Sequence, residues 1–428
     1  MKIKTNNKFQ VSELKTSWVI FFTYFSIRLL FTLFSGYDNC ELCSDSATYL
    51  TLSERILAGN FDLDVGRFIV SPLYPFLISV FKICFGSFSI SAIVLFQLTL
   101  SAVSGVYLYK LAKNLFNYQV ALLATVIFAV YPFTFWWVHS ICTEIVFQSF
   151  LIIALFYIHQ MTIVKDWTTV LIAALLFSLT FLTKSHILLF APIIFLSLMV
   201  AWPIKIGISK SLVFAGVCFL TTLPFGFFNL NKHQQYVISS NGGQFHFYTG
   251  NSPFGYQVVF GEKEKLQEIN HLNYMATANG SIHDSLMALP HKLKQPAYFN
   301  YALNWIATNT LDFIKLKLAN AFNFLSPGFN FRYYPFKLWL VSFLLSAPIF
   351  LFAYITLWNA LTKYPKEHLI FIGLFAVMFG FSVLWYNQNR FRTITLEPIL
   401  IIYAASAICS KFPLVNRLLN KVLTEKKS

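Results

Sequence analysis

The sequence predicts an all-α polytopic membrane protein. Of its 428 residues, 57% are hydrophobic and only 11% are charged, and the apolar residues are gathered in long runs. So few charged residues could not cover this much apolar surface in water, whereas lipid accepts it. Phe contributes 49 residues and Gly only 17. This balance is typical of packed helices and argues against a membrane β-barrel, which would show short alternating strands.

About ten apolar runs are long enough to cross a bilayer, which requires about 20 residues in a helix. They lie near residues 17–35, 89–110, 118–136, 141–160, 168–183, 186–203, 211–229, 338–361, 368–386 and 394–410. A shorter apolar segment, 72–85, starts with Pro72 and Pro75 and predicts a re-entrant or interfacial helix. The first run has no small-residue cleavage site after it, so we expect a retained helix and not a signal peptide.

Basic residues predict the orientation of these spans. The short connections at one end of the spans hold Lys110, Lys113, Lys165, Lys205, Lys210, Lys363 and Lys366. The N-terminal stretch and the tail, residues 411–428, are basic as well. The positive-inside rule makes this side cytoplasmic, with both termini inside. Because the net charge of +15 is spread over span ends, we do not expect a nucleic-acid partner.

Two long segments lie on the other side of the membrane under this map. The first covers about 36–88 and is acidic, and the second covers about 230–336. The second contains YFNYALNWIATNTLDFIKLKLANAF, in which apolar positions recur at helical spacing. We therefore predict one membrane domain, 1–410, whose extracytoplasmic loops carry amphipathic helices, followed by a basic cytoplasmic tail.

Acidic residues near the outer ends of the spans are candidates for chemistry, because polar groups are costly in a bilayer core. Asp45, followed one turn later by Tyr49, could accept a proton from an attacking hydroxyl group. It could equally cap the helix that follows. Glu144 could position an acceptor or a divalent cation, or it could interact with the dipole of its helix. Glu397, inside the last span, is expected to pair with a nearby base.

Several basic residues are placed outside, against the positive-inside bias. They are Arg28, Arg67, Lys184, Arg390 and Arg392. A lipid phosphate would satisfy such cations, and Arg offers it two parallel hydrogen bonds. The alternative is that these side chains reach out to ordinary lipid headgroups. No zinc-ligand spacing is found. No nucleotide-binding motif is found either, so any activated group, such as a sugar, would have to arrive on a lipid and not on a nucleotide.

Cys40 and Cys43 form a C-x-x-C pair in the first outer segment. A local disulfide bond is plausible there, but a redox active site would require a thioredoxin-like context that this sequence lacks.

Five segments together resemble the GT-C superfamily of membrane glycosyltransferases. In chain order they are SDSATYLTLSERILAGNFDLDVGRFIVSPLYPFLISVF, YPFTFWWVHSICTEIVF, SLTFLTKSHILLFAP, NGGQFHFYTGNSPFG and NRFRTITLEPILIIYAA. The pattern is most similar to glycosyltransferase family 39 and its relatives, the protein O-mannosyltransferases and bacterial aminoarabinose transferases. The resemblance covers most of the chain and implies a GT-C-like bundle in the bacterial plasma (inner) membrane.

The resemblance also implies a reaction. A sugar would move with inversion from a polyprenyl-phosphate donor to a lipid-linked or glycan acceptor on the extracytoplasmic face. Asp45 would be the base, with Glu144 and Tyr49 positioning the acceptor or a cation. The donor phosphate would be bound by Lys184, Arg390, Arg392 and Arg67.

Two points stay open at the level of sequence. Many relatives carry an Asp-Asp or Asp-Glu pair where this chain has Asp45 alone, so the need for a divalent cation is not determined. A GT-C-type polymerase or ligase of polysaccharides would use similar residues. A flippase or transporter of lipid-linked glycans is a further alternative, although such proteins usually show internal repeats, and none is evident.

Overall fold

The computed structural model describes residues 7–35, 45–261, 281–331, 334–413 and 415. Regular structure in these residues is helical, apart from a single antiparallel bridge between Asp64 and Ile69. This confirms the predicted all-α class. Cys40 and Cys43, and with them the predicted local disulfide bond, lie outside the described residues, as does most of the basic tail.

The α-helices are numbered here in chain order. They are α1 (Asn7–Phe34), α2 (Ser46–Leu57), α3 (Leu73–Phe85), α4 (Ser89–Leu115), α5 (Tyr118–Val130), α6 (Thr143–Ile163), α7 (Trp167–Thr183), α8 (Ala191–Ala201), α9 (Ile204–His233), α10 (Gly243–Gly250), α11 (Pro253–Phe260), α12 (Ser281–Ala288), α13 (His291–Thr308), α14 (Thr310–Leu325), α15 (Phe336–Lys363), α16 (Leu369–Leu384), α17 (Asn389–Thr395) and α18 (Glu397–Lys411). Short 3₁₀ turns occupy Gly86–Phe88, Pro132–Thr134 and Ser185–Phe190.

All ten predicted apolar runs are largely helical, and the chain is an integral membrane protein. The number of ten spans is not confirmed. Five stretches of the described chain are long and apolar enough to cross a membrane: Glu13–Phe34, Leu73–Leu115, Thr143–Ile163, Ile204–His233 and Phe336–Lys363. A sixth is obtained if α17 and α18, which are bent by 60°, form one span. The predicted short segment 72–85 becomes α3, which continues through a 3₁₀ turn into α4.

Helix α6 lies at the centre of the bundle. It packs against α4 and α7, while α7 packs against α9 and α18 packs against α5 and α15. Most of its side chains are apolar, and 72% of its most apolar stretch is buried inside the protein, as expected of a helix surrounded by others. The two ends of α6 are therefore fixed by neighbours on several sides.

Capping residues set where the central helices begin. Asp166 precedes α7 and accepts hydrogen bonds from the backbone N–H groups of Thr168 and Thr169. Asn117 precedes α5 in the same way and accepts from the N–H of Val120. Each cap satisfies backbone donors that the first turn leaves without a partner. Helix α7 thus starts at one end of the bundle. Lys184 follows its 17 residues and lies at the other end.

The second segment that the sequence predicts to lie outside the cytoplasm, about 230–336, contains α10 to α14. The predicted amphipathic stretch is helical, but it forms two helices, α13 and α14, that meet at Asn309. The Asn309 side chain donates a hydrogen bond to the carbonyl of Trp305, which competes with continued helix formation. Helix α13 packs on α10 through an aromatic cluster that includes Phe245, Tyr248 and Tyr298.

A buried ion pair stabilises the bend between α17 and α18. Arg392 Nε lies 3.1 Å from Glu397 Oε1, and both side chains are 2% exposed. Glu397 also accepts a hydrogen bond of 2.9 Å from the hydroxyl of Tyr131. Arg392 donates in addition to the carbonyl of Phe324, in the last turn of α14, and to that of Gly328, beyond its end. The expected pairing of Glu397 with a nearby base is confirmed.

The ion pair leads to a prediction about stability. Glu397→Ala should lower the free energy of unfolding by about 3–5 kcal/mol, because it leaves the Arg392 guanidinium buried without its counter-charge. Reversible denaturation of the purified protein in detergent measures this change. The control is Asp312→Ala, which breaks an exposed pair with Lys315 and should have little effect. Equal effects of the two substitutions would contradict the account.

Candidate active site

Four chain segments bring ionisable residues to one end of the bundle. Asp45 directly precedes α2, and Glu144 lies in the first turn of α6. Lys184 follows the last residue of α7, and Arg390 lies in the first turn of α17. The sequence predicts that these residues share one side of the membrane. In the structure, each of them contacts at least one other member of the group.

The four side chains form a continuous chain of charges. Arg390 Nη1 lies 2.7 Å from Asp45 Oδ2 and 3.6 Å from Glu144 Oε1. Lys184 Nζ lies 3.1 Å from the same oxygen of Glu144. The side chain of Glu144 is 1% exposed, whereas that of Asp45 is 36% exposed. The cluster is therefore closed at Glu144 and open to solvent at Asp45.

The geometry separates the alternatives left open by the sequence. Asp45 occupies the N-cap position of α2, but its side chain makes no capping hydrogen bond and contacts Arg390 instead. Lys184 and Arg390 are paired with carboxylates inside the protein, which does not support simple extension towards lipid headgroups. Glu144 lies where the dipole of α6 stabilises a negative charge, and it binds both cations in addition.

The cations keep Asp45 ionised. Burial raises the pKa of this carboxyl group, but the charges of Arg390, Lys184 and Arg67, with the hydrogen bond from Arg390, lower it by more. The net pKa of Asp45 therefore lies below its ordinary value. Arg67 is the most weakly acting of these cations, and its guanidinium lies over the ring of Phe245, 5.6 Å from the ring centroid.

Tyr49 lies one turn after Asp45 on α2. Its hydroxyl is 3.5 Å from Thr143 Oγ1, next to Glu144, and its ring makes an edge contact with Tyr74. Burial, together with the charges of Asp45 and Glu144, raises its pKa. Tyr49 is therefore a neutral phenol that can donate a hydrogen bond close to Asp45.

Two predicted outer cations are not brought to this cluster. The guanidinium of Arg392 donates from all three of its nitrogens to Glu397 and to backbone carbonyls, so it is committed to the bend of the last helices. Arg28 is fully buried on α1, where it lies over the ring of Tyr24 and donates to the hydroxyl of Ser101. The structure thus gives no support to Arg392 as a phosphate-binding residue.

Three residues that the sequence analysis did not select line the site. Gln388 accepts a hydrogen bond from Arg390 Nε at 2.8 Å and donates one to the hydroxyl of Tyr386. Tyr386 stacks on His246, with ring centroids 6.3 Å apart. Burial and the charges of Arg390 and Lys184 lower the pKa of His246 to about 4. The segments NGGQFHFYTG and WYNQNRFR contain these residues, but no spacing rule identifies them.

A divalent cation is not favoured by this arrangement. In the described part of the chain, no three His, Cys, Asp or Glu side chains come together as a ligand set. The two carboxylates of the cluster, Asp45 and Glu144, are each paired with basic side chains, which occupy oxygens that a hard cation would need.

Comparisons with known proteins bear on the fold of the chain. The family model described as dolichyl-phosphate-mannose-protein mannosyltransferase matches residues 70–227. The archaeal oligosaccharyltransferase AglB from Archaeoglobus fulgidus, in complex with an inhibitory peptide and a dolichol-phosphate, is similar with a TM-score of 0.56 and 15% identity. The chain has the GT-C fold. The apo form of the Archaeoglobus fulgidus oligosaccharyltransferase gives the same TM-score at 14% identity.

The two solved structures are longer than this chain. In each case the similarity covers 96% of this chain and 52% of the other, so the chain spans about half of their length. No curated protein matches. The GT-C resemblance predicted from the five sequence segments is confirmed, and two members of the charged cluster, Glu144 and Lys184, lie within the matched residues 70–227.

The candidate site leads to a prediction about His246. Because its pKa is lowered to about 4, the imidazole should stay neutral between pH 5 and 8, where an unperturbed histidine titrates near 6.5. Nitrogen-15 NMR of histidine-labelled protein measures this titration, and the resonance missing in His246→Gln provides the assignment. A midpoint near 6.5 for that resonance would show that burial and the charges of Arg390 and Lys184 do not lower the pKa of His246.

Proposed function

We propose that the protein is an inverting glycosyltransferase that moves a sugar from a polyprenyl-phosphate donor to a hydroxyl group of a lipid-linked or glycan acceptor. The proposal rests chiefly on the 2.7 Å contact between Asp45 and Arg390, at the open end of a cluster that Glu144 and Lys184 close. A base and phosphate-binding cations then lie side by side.

The cations suit a lipid phosphate as the leaving group. Lys184 and Arg390 both approach the same oxygen of Glu144, and Arg67 adds positive charge from the first outer segment. Preorganised cations stabilise the negative charge that develops on a departing phosphate, which is usually the largest contribution in such sites. The AglB structure contains a dolichol-phosphate, which supports a polyprenyl-type donor for this chain.

Asp45 would act on the acceptor. The acceptor oxygen attacks the anomeric carbon of the sugar, and its proton passes to the carboxylate of Asp45. The bond between that carbon and the phosphate oxygen breaks, and its electron pair leaves with the phosphate. A bound phosphate also competes with Asp45 for Arg390. The loss of that contact raises the pKa of Asp45 and makes it a stronger base when the donor is present.

Glu144 and Tyr49 would position these groups. Glu144 accepts from Lys184 and lies close to Arg390, so it fixes both cations before the donor binds. Tyr49 places a phenol next to Asp45 and is suited to orient the acceptor hydroxyl. Both residues would hold their partners in place before the transition state forms. The reacting groups then have less freedom of motion to give up during the reaction.

We further propose that the site faces away from the cytoplasm in a bacterial plasma membrane, with both termini inside. The support is the distribution of lysines. Asp166, the cap of α7, and the neighbouring Lys165 lie at the end of α7 opposite Lys184. The other lysines of the short connections, such as Lys113 near the end of α4 and Lys363 at the end of α15, follow the positive-inside rule on the same assignment.

A second candidate function is the transfer of a preassembled glycan by the same chemistry. It is favoured by the similarity to a protein whose title describes an oligosaccharyltransferase. A flippase for lipid-linked glycans would have no use for a base at Asp45. Labelled donors carrying one sugar or an oligosaccharide, given to the purified protein, separate single-sugar transfer, block transfer and translocation without bond cleavage.

The role of Asp45 gives the first prediction on activity. Asp45→Asn should lower kcat by about 10²–10⁴-fold, because the amide cannot accept the proton. Transfer from a labelled polyprenyl-phosphate sugar in detergent micelles measures kcat. The control is Glu54→Gln, which removes a carboxylate from the exposed face of the same helix and should leave kcat unchanged. Near-normal turnover in Asp45→Asn would remove Asp45 from the mechanism.

The role of Arg390 gives a second prediction, which concerns donor binding. Arg390→Ala should weaken donor binding by about tenfold or more, because a charge-assisted contact to phosphate is lost. Equilibrium binding of the polyprenyl-phosphate sugar gives the dissociation constant without requiring turnover. Lys315→Ala, which removes an exposed cation on α14, is the matched control. An unchanged donor affinity in Arg390→Ala would move the phosphate site elsewhere.

A further inference from the structure

A second polar cavity lies at the other end of α6. This helix begins beside Glu144 in the candidate active site and has 21 residues, so its far end is about 30 Å away. The cavity there has a volume of about 380 Å³ and lies between the ends of α4, α6 and α8 and the start of α16. It is therefore distinct from the charged cluster and has no part in the chemistry proposed there.

His159 is the buried polar group of this cavity. Its side chain lines the cavity, it is only 7% exposed, and neither of its ring nitrogens has a hydrogen-bond partner in the described part of the chain. A neutral imidazole carries one N–H donor and one acceptor. Leaving such groups buried and unsatisfied is costly. Both nitrogens are covered by protein, so a ligand oxygen that the ring meets after a rotation would remove a penalty that the fold otherwise retains.

His368 presents a second donor to the same cavity. Its Nδ1 lies 2.8 Å from the hydroxyl of Tyr403. When the phenol donates to Nδ1, the proton of the ring is on Nε2, which is then free to donate to a ligand. His368 is also the residue that precedes α16, and Ile370 in the first turn lines the cavity. The N-terminus of this 16-residue helix attracts negative charge.

The charges around the cavity favour an anion. Lys366 and Glu367 both line it. An adjoining cavity shares Asn114 and is lined by Lys110, Lys113 and Glu13. The two cavities together hold three lysines and two carboxylates, and Lys113 is paired with Glu13. No cluster of three His, Cys, Asp or Glu side chains suited to a metal ion is found among the described residues. Donor groups and a positive balance together select a ligand with several acceptor oxygens.

We propose that this cavity binds a phosphate group, with His159 and His368 donating hydrogen bonds to its oxygens and Lys366 supplying positive charge. The phosphate would belong either to a lipid headgroup of the leaflet at that end of the bundle or to a free phosphate ion. The site does not depend on the proposed transfer reaction, because none of its residues belongs to the candidate active site.

The test is binding of short-chain phosphatidic acid to the full-length protein in detergent, followed by native mass spectrometry. Lys366→Gln and His159→Gln should each weaken binding by about tenfold, as expected when a hydrogen bond to a charged phosphate is lost. Lys363→Gln is the matched control, because Lys363 lies at the same end of the bundle but does not line the cavity. Lys366 is on the surface, so its variant reports on binding even if His159→Gln does not fold.

Inorganic phosphate in a competition arm distinguishes the two sources. Displacement of phosphatidic acid by inorganic phosphate assigns the site to free phosphate, and binding that resists this competition assigns it to the lipid headgroup. Either result, with the expected pattern of variants, supports the proposal. Equal affinity for phosphatidic acid in the wild type and in Lys366→Gln, or an equal loss in Lys363→Gln, would overturn it.

Discussion

The candidate site depends on the neutralisation of two carboxylates by two cations at one end of the helix bundle. Asp45 and Glu144 contact Arg390, and Glu144 also contacts Lys184. A buried charge without its partner is strongly destabilising, so the segments that carry these residues must end at the same depth. The capping residues and helix lengths of the bundle meet this requirement. The arrangement leaves Asp45 at the open end, where a second substrate can reach it.

The last two helices show how the same requirement shapes the surroundings of the site. Arg392 and Glu397 neutralise each other in the interior and fix the 60° bend between α17 and α18. The bend turns the first residues of α17 towards α6, so that Arg390 meets Glu144. Gln388 then holds Arg390 on one side and Tyr386 on the other. The buried pair of Arg392 and Glu397 thus supports the backbone from which Arg390 extends.

Much of this arrangement could be predicted from the sequence, and the exceptions have physical reasons. Polar groups are costly in lipid, which directed attention to Asp45, Glu144, Lys184 and Arg390, all of which meet. The sequence places Arg390 and Arg392 together in the short connection before the last span, but residues two apart do not share a helix face. The short helix α17 therefore points the two arginines in different directions. His246 was not selected because its role comes from packing against Tyr386, a contact between distant segments that no local pattern encodes. The predicted number of about ten spans is not confirmed, because several apolar helices are short and one pair is bent.

The central claim is that a lipid phosphate binds between Lys184 and Arg390, directly beside Asp45. A cryo-electron microscopy structure of the protein with a non-transferable polyprenyl-phosphate sugar analogue, in a lipid nanodisc, tests it most directly. The account predicts density for the phosphate within hydrogen-bonding distance of both cations, with the Asp45 carboxylate facing the anomeric carbon. Phosphate density elsewhere in the protein, with the contact between Asp45 and Arg390 unchanged, would contradict it.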